Sequence, residues 1–316
     1  MPVDESPRTL STSPRLSVWS LPWLGLIAAA SSMLAACGAR WWWFLELFCH
    51  FHVQYLALSL AMAVPFVLAR RWKGAAAAAV LIIINLACIV PLYVAAPAGA
   101  VGPHRARILF LNVEQTNHAY AEVLKLVAEL DPDVVALVEV DHVWMRQLLP
   151  LLARYPDLCS HPRHDAFGIA VFSRLPGASE IVLAGGELPS AVLRLDGLTV
   201  VATHPVPPLG QERARWRDRQ LHELAVLAAA ETAPTILGGD FNCTPWSPVF
   251  HDLLRDGRLR DSHRGFGVQA SWPSFAPPLW IPIDHCVVSS GVTVLSRTVG
   301  RRVGSDHYPL IVDLAY

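Results

Sequence analysis

Charged side chains are scarce in the first 104 residues of this sequence. Only three acids and six bases occur there, namely Asp4, Glu5, Glu46, Arg8, Arg15, Arg40, Arg70, Arg71 and Lys73. Positions 105–316 hold the other 23 of 26 acids and 19 of 25 Lys and Arg residues, a formal net charge of −4. The N-terminal part is more apolar than ordinary soluble domains are, and the C-terminal part lacks the basic surplus typical of strong nucleic-acid binders.

Paired cysteine motifs and internal repeats are also absent. The six cysteines have no CxxC pair and no metal-ligand spacing, which excludes the common cysteine zinc sites. No 20–50-residue repeat is present, which excludes a solenoid. We expect scattered free thiols, and one disulfide among Cys159, Cys243 and Cys286 stays open as the alternative.

The N-terminal part does contain three long apolar runs. They cover Val18–Gly38, Val53–Ala69 and Gly74 to about Val94. Each has about 17–21 residues, enough to cross a hydrocarbon layer of ~30 Å as a helix. We therefore predict an integral membrane protein whose N-terminal helices contact the lipid bilayer. The predicted order is a cytoplasmic tail at 1–17, about three transmembrane helices within 18–96, a linker at 97–104 and a domain at 105–316.

Basic residues predict how this segment is oriented. Arg8 and Arg15 precede the first run, and Arg70, Arg71 and Lys73 lie between the second and the third. Because short basic segments stay in the cytoplasm, the C-terminal domain is predicted on the periplasmic or extracellular side, with a bacterial inner membrane as the expected location.

Other interpretations of the apolar runs remain open. The first run could be a cleaved signal peptide, and the second could be re-entrant, which would reverse the orientation. The three runs could also be core helices of a soluble protein. Leu34–Cys37 resembles a lipoprotein cleavage box, which would make Cys37 a lipidated N-terminus. We expect Glu46, His50 and His52 at the membrane interface, beside a tryptophan-rich stretch.

From Ala106 onward, short apolar strands alternate with helices. Strands are predicted at 107–112, 133–138, 168–173, 191–195, 198–203, 235–239, 284–288 and 310–314. Helices are predicted near 119–130 and 211–230. About eight strands with few helices favour a layered α/β fold with two sheets packed face to face.

Polar residues recur at the ends of these strands. They are Asn112, Glu139, His204, Asp240, Asn242, Asp284, Asp306 and His307. Polar groups at strand ends converge on one rim of a sheet, where sites are commonly built. Glu139 and Asp306, with Asp240 nearby, offer the carboxylate oxygens that Mg²⁺ or Mn²⁺ prefers. His307 paired with Asp284 offers an oriented imidazole.

The sequence around these positions resembles the endonuclease/exonuclease/phosphatase superfamily, which has a deoxyribonuclease-like four-layer α/β sandwich. The resemblance covers about residues 105–316 and depends on the order of seven short motifs. They are Leu111–Val113, Val138-Glu139, Gly168–Arg174, Thr203–Pro205, Gly239–Asn242, Ile283–His285 and Ser305–His307.

The resemblance implies a role for each matching residue. Asn112 and Glu139 would bind the metal region, with Glu139 as a direct ligand and Asp306 as a further ligand. Asp240 would position the attacking water or stabilise the leaving oxygen, and Asn242 would hold the scissile phosphate. His204 would contact the phosphate. His307, oriented by Asp284, would be the general base or another phosphate contact.

The substrate stays open at this stage. The resemblance implies a phosphodiesterase acting on nucleic acid, or one acting on phospholipid head groups or inositol phosphates. A non-catalytic, membrane-tethered binding module is the alternative from a different class. Arg213, Arg215, Arg217 and Arg219 could contact an anionic substrate or form a solvated helix face, and no protein partner is predicted.

Overall fold

The computed structural model describes residues 18–95 and 102–316. The predicted cytoplasmic tail at 1–17 and most of the predicted linker at 97–104 lie outside the described residues. The described N-terminal helices are α1 (Ser20–Ala36), α2 (Trp43–Glu46), α3 (His52–Leu68) and α4 (Trp72–Ile89).

Two of these helical segments, not three, have the length expected of a membrane span. A segment of 26 residues covers Trp43–Leu68, and one of 21 residues covers Trp72–Leu92. The first apolar run was predicted as a span. It forms the 17-residue helix α1, which ends at Ala36. At 1.5 Å per residue, α1 is about 25 Å long, at the lower limit for a span, against about 31 Å for the 21 residues of Trp72–Leu92.

The three long helices pack side by side. Leu26 of α1, Phe66 of α3 and Ala78 of α4 form a small buried cluster. The guanidinium of Arg71 lies 4.1 Å from the centre of the Trp19 ring, so the start of α1 lies beside the turn between α3 and α4. The opposite ends of the three helices therefore face the C-terminal domain together.

The C-terminal domain consists of two six-stranded sheets flanked by helices. Its strands are β1 (Arg105–Asn112), β2 (Val134–Val138), β3 (Asp157–His161), β4 (Ile169–Ser173), β5 (Gly177–Ala184), β6 (Leu188–Leu195), β7 (Leu198–Thr203), β8 (Thr235–Asp240), β9 (Arg260–Asp261), β10 (Asp284–Val288), β11 (Thr293–Val299) and β12 (Leu310–Ala315). Its helices are α5 (Tyr120–Leu130), α6 (His142–Leu148), α7 (Gln211–Ala230) and α8 (Pro248–Asp256).

The strand order is β11-β12-β1-β2-β4-β3 in the first sheet and β5-β6-β7-β8-β10-β9 in the second. Only β1–β2 and β7–β8 pair in parallel among the described strands. One apolar core, with Phe110, Val171 and Val200, fills the space between the sheets. Two further cores lie beneath α5 and α6 on one side and α7 and α8 on the other. The predicted layered α/β sandwich is confirmed.

Candidate active site

The two parallel strand pairs end at the same place in the molecule. Asn112, the last residue of β1, is paired with Val138 at the end of β2. In the other sheet, Asp240 ends β8 next to β7. The Asn112 amide nitrogen donates to Asp240 Oδ2 across 3.2 Å, so the carboxyl ends of the parallel strands form one shared rim.

Glu139 is held on this rim by hydrogen bonds to both of its oxygens. Asn112 Nδ2 donates to Oε1 at 2.9 Å, and the Gln115 backbone N–H donates to Oε2 at 3.0 Å. Glu139 adopts a left-handed backbone conformation with φ of 62°, which is uncommon for a non-glycine residue. The conformation turns the chain sharply after β2 and leaves the carboxylate half-buried at the rim.

Asp240 lies at the centre of the cluster, where β8 approaches β7 closely. Gly239 has φ of 134°, and any side chain there would collide with the Thr203 carbonyl oxygen. Asp240 Oδ2 lies 3.3 Å from His204 Nε2 and 3.6 Å from His307 Nε2. Burial alone would raise the pKa of Asp240, but His307 and His204 outweigh it and lower the pKa to about 2. Asp240 is therefore ionised at neutral pH.

Asn242 and His204 lie beside Asp240. The Asn242 backbone N–H donates to Asp240 Oδ1 at 2.9 Å, and its side-chain amide donates to the Pro205 carbonyl at 2.9 Å. His204 Nδ1 lies 3.0 Å from the Ala166 carbonyl, and its Nε2 faces Asp240. Burial would lower the pKa of His204, but Asp240 raises it.

His307 has carboxylates facing both ring nitrogens. Nδ1 lies 2.8 Å from Asp284 Oδ2, while Nε2 faces Asp240 at 3.6 Å and Asp306 at 3.9 Å. Burial alone would lower the pKa of His307, but Asp284 and Asp240 raise it to about 10. Asp284, Asp240 and Asp306 therefore favour the protonated imidazolium, while the Asn112 amide nitrogen, a donor, lies 3.4 Å from Nε2.

All eight predicted site residues therefore join one network of contacts. Several supporting residues were not predicted. Ser305 donates to the Asn112 carbonyl and accepts from the His307 N–H, and Ser271 accepts from the Asp284 N–H. Glu114 accepts from the Asp306 N–H at 2.9 Å. Only Ser305, directly before Asp306, carried a signal in the sequence, because it belongs to a recognised motif.

The rim offers a donor set that fits a hard divalent cation. Glu139 keeps free lone pairs beyond the two hydrogen bonds it accepts, and Asp306 is half-exposed nearby with Oδ2 held by Trp272 Nε1 at 2.8 Å. Mg²⁺ is bound by one or two carboxylates together with waters. Asn112 points its amide N–H₂ at Glu139, and its oxygen accepts from the Glu114 N–H, so it orients Glu139.

Two tryptophans near the rim have different partners, and Glu46 and Arg217 lie in environments that were not expected. Trp272 bonds Asp306, whereas Trp246 donates to the Cys88 carbonyl in α4. Glu46, expected at the membrane interface, is buried and accepts a hydrogen bond from Arg217 Nη2 at 2.6 Å. Arg213, Arg215 and Arg219 are exposed on α7, while Arg217 is fully buried. All six cysteines are free thiols, as expected.

Several solved structures have similar folds. The 3' phosphatase NExo from Neisseria, bound to a product DNA hairpin, is 18% identical at a TM-score of 0.57, covering 67% of this chain and 100% of its own. The endonuclease/exonuclease/phosphatase from Beutenbergia cavernae is 20% identical at a TM-score of 0.54, and the match covers 67% of this chain and 71% of that one. D. rerio TDP2 with a single-strand DNA product is 16% identical at a TM-score of 0.54, and the match covers 67% of this chain and 99% of that one.

No protein of curated function matches this chain at a significant level. The sequence profile of one family does match, over residues 108–307, which spans every site residue from Asn112 to His307. The chain therefore belongs to the Endonuclease/Exonuclease/phosphatase family.

Proposed function

We propose that this protein is a membrane-anchored phosphoesterase that depends on Mg²⁺ or Mn²⁺ and hydrolyses phosphodiester bonds by in-line attack of water. The observation that carries the proposal is the continuous network joining Asn112, Glu139, Asp240 and His307 at the shared rim of the two sheets. Members of this family generally hydrolyse phosphoesters, which supports the same activity here.

The proposed metal residues are Glu139 and Asp306. A divalent ion bound there would neutralise charge on the phosphate, a term that dominates phosphoryl transfer. Asn112 and the Gln115 N–H fix the direction of the Glu139 carboxylate. Fixed dipoles and charges need no reorganisation when negative charge develops on the phosphate oxygens.

Asp240 and His307 divide the remaining chemistry. An ionised Asp240 accepts a hydrogen bond from the attacking water and orients it towards phosphorus. The imidazolium of His307 contacts a non-bridging phosphate oxygen through Nε2, because its Nδ1 is occupied by Asp284. Of the two roles open from the sequence, the raised pKa of His307 favours the phosphate contact over the general base. Asn242 and His204 would hold the phosphate on the opposite side.

Membrane anchoring is the second part of the proposal. The segments Trp43–Leu68 and Trp72–Leu92 have the length and composition of spanning helices. Their apolar side chains are largely exposed on the outside of the bundle, including Leu60, Val64, Ile83 and Ile84. Contact of such apolar side chains with lipid is favourable, whereas their exposure to water raises the free energy of the protein.

Nucleic acid is the first proposed substrate class. NExo and TDP2 are described with DNA products, and both share this fold. The formal charge of −4 on residues 105–316 argues against tight non-specific binding of DNA, so contacts near the reacting phosphate would supply most of the affinity.

A phospholipid is the second candidate, favoured by apolar side chains close to the rim. Trp280 packs on Tyr308, the neighbour of His307, and its carbonyl accepts a hydrogen bond from Gln54 of α3. Phe275 and Leu279 on the same loop are exposed. Leu279 also lines an apolar cavity of about 420 Å³ with aromatic residues of the helices.

The two substrates are separated by one panel of assays on the full chain purified in detergent. Single- and double-stranded DNA, phospholipid vesicles, an inositol phosphate and a phosphomonoester are offered with Mg²⁺, with Mn²⁺ and after chelation. We expect metal-dependent cleavage of DNA phosphodiesters, with phospholipid cleavage as the result that selects the second candidate. A failure on every phosphoester with both ions would overturn the proposal and favour a non-catalytic binding module.

A further inference from the structure

A second cluster of ligand-type side chains lies outside the catalytic rim. Asp261 ends β9, His263 follows it by two residues, and His285 is the second residue of β10. One potential ligand atom from each lies within 4.8 Å of the others. It is the only such group of three His, Cys, Asp or Glu residues within 18–95 and 102–316. His263 and His285 are completely buried.

The hydrogen bonds of these histidines fix their tautomers. His285 Nε2 lies 2.7 Å from the Cys243 carbonyl oxygen, which can only accept, so the proton is on Nε2. His263 Nδ1 lies 2.7 Å from Asp261 Oδ1, which likewise accepts, so its proton is on Nδ1. The remaining nitrogens, His285 Nδ1 and His263 Nε2, therefore carry lone pairs.

Neither lone pair has a hydrogen-bond partner. Both nitrogens are buried and unpartnered. They cannot satisfy each other, since two acceptors form no hydrogen bond. Burial of polar atoms without partners is unfavourable and uncommon in proteins. Burial lowers the pKa of His263, and it lowers the pKa of His285 to about 3.

The arrangement has the features of a site for a borderline-soft cation. Metal-binding histidines commonly donate their other N–H to a carboxylate or a backbone carbonyl, as His263 and His285 do. Their ring centroids are 5.3 Å apart. Two imidazoles on one tetrahedral zinc ion, with Zn–N bonds of about 2.1 Å, have ring centres roughly 5 Å apart. The Asp261 carboxylate supplies negative charge beside them.

We propose that His263, through Nε2, and His285, through Nδ1, bind a zinc-class divalent ion at a structural site separate from the catalytic rim, while Asp261 holds the other ring nitrogen of His263. Nitrogen ligands select Zn²⁺ over Mg²⁺, whereas the oxygen ligands at the rim favour Mg²⁺. His285 and Asp284 are adjacent on β10, so their side chains point to opposite faces of the sheet. His285 packs on Phe241 and Phe250, beneath the helix layer.

Such an ion would stabilise the contact between the domain and the helices. The N–H groups of Gly265 and Gly267 both donate to the Leu92 carbonyl at the end of the α4 segment. These glycines follow His263 directly in the same turn. An ion joining His263 to His285 would therefore fix this turn to β10 and hold the docking point of the last helix.

Metal content provides the first test. The full chain in detergent is stripped with a chelator, equilibrated with Zn²⁺ in excess Mg²⁺, and freed of unbound metal. We expect about one zinc ion per chain in the wild type and in Glu139→Gln. His263→Phe should lose this zinc, whereas the matched control His222→Phe, an exposed histidine near Asp256, should keep it.

A measurement on the unaltered chain covers the case in which His263→Phe does not fold. Co²⁺ replaces Zn²⁺ in the stripped wild-type protein, and its visible absorption reports nitrogen ligation in a four-coordinate site. Zinc should also raise the melting temperature of the wild type, while excess Mg²⁺ should not. No retained zinc in the wild type, equal zinc in a folded His263→Phe, or a Co²⁺ spectrum of hydrated ion would overturn the proposal.

Discussion

At the scale of single residues, the proposed mechanism depends on the charge of His307. Its ring lies between Asp284 at 2.8 Å and Asp240 at 3.6 Å, and both carboxylates stabilise the protonated form. A ring with a pKa of about 10 does not take a proton from water at neutral pH, but it stabilises negative charge on a phosphate. In the proposed mechanism Asp284 acts through His307, as a positioning residue.

The pH dependence of turnover tests this assignment. Activity should persist while His307 is protonated and fall as pH rises through its pKa. Asp284→Asn removes the negative charge beside Nδ1 of His307, so the pKa of His307 falls. The alkaline loss of activity should therefore move to lower pH by about 1–3 units. The measurement is kcat/KM across pH, with Asp252→Asn as the control, since Asp252 is a surface carboxylate on α8. An unchanged alkaline limb in Asp284→Asn would contradict the role.

The convergence of the candidate site residues was predictable, while their charge states and some partners were not. Asn112, Glu139 and Asp240 lie at strand ends within recognisable motifs. Their convergence follows because the carboxyl ends of parallel strands meet at one edge of a sheet. The pairing of Glu46 with Arg217 joins positions 171 residues apart and has no local pattern. The tautomer of His285 likewise depends on the Cys243 carbonyl, 42 residues away in the sequence.

At the scale of elements, the segment between β8 and α8 links the site to the N-terminal helices. It begins at Asn242, whose carbonyl accepts from Arg217 Nη1 at 3.5 Å. Thr244 lies 3.0 Å from His50 Nδ1, and Ser247 donates to Glu46 at 2.5 Å. The helices therefore support the segment that carries Asn242.

A double-mutant cycle measures this support. Glu46→Leu leaves the buried Arg217 guanidinium without its main partner and should lower the free energy of unfolding by about 3 kcal/mol. Chemical unfolding in detergent measures this loss. Glu46→Leu with Arg217→Leu should recover much of that loss, because no buried charge remains unpaired.

The matched comparison is Arg40→Gln, which breaks the exposed contact of Arg40 with Asp252 between the same two parts of the chain. It should cost no more than about 1 kcal/mol. If Glu46→Leu cost as little as Arg40→Gln, the buried pair would have no special role in joining the helices to the domain.

The strands show which elements a sequence reveals. All eight predicted strands lie in the interior of the two sheets, where both faces are covered and the sequence is a continuous apolar run. The four that were not predicted, β3, β5, β9 and β11, are the edge strands. β5 is mostly exposed, so no buried run marks it.

At the scale of the whole molecule, the basic turn between α3 and α4 sets the expected orientation. Arg70, Arg71 and Lys73 lie at the end of the helices opposite the domain. A cytoplasmic turn puts the domain outside, whether or not the short helix α1 also crosses the bilayer. The active site would then meet substrates outside the cytoplasm.

Cysteine labelling tests the orientation in a Cys37→Ala background, which removes the exposed native thiol. Ala178→Cys on β5 and Trp72→Cys at the start of α4 are both exposed positions. A membrane-impermeant maleimide should label Ala178→Cys in cells with an intact inner membrane, and Trp72→Cys only after lysis. The opposite pattern would reverse the topology, and labelling of both in intact cells would contradict a spanning anchor.

The most direct measurement of the central claim is metal-dependent hydrolysis of a generic phosphodiester by the purified full chain. After chelation, Mg²⁺ or Mn²⁺ should restore turnover of bis(p-nitrophenyl) phosphate in the wild type. Asp240→Asn should lower kcat by about 10²–10³-fold with an unchanged fold, because the charge that orients the attacking water is gone. Turnover that survives chelation, or an Asp240→Asn variant with the wild-type rate, would contradict the proposed site.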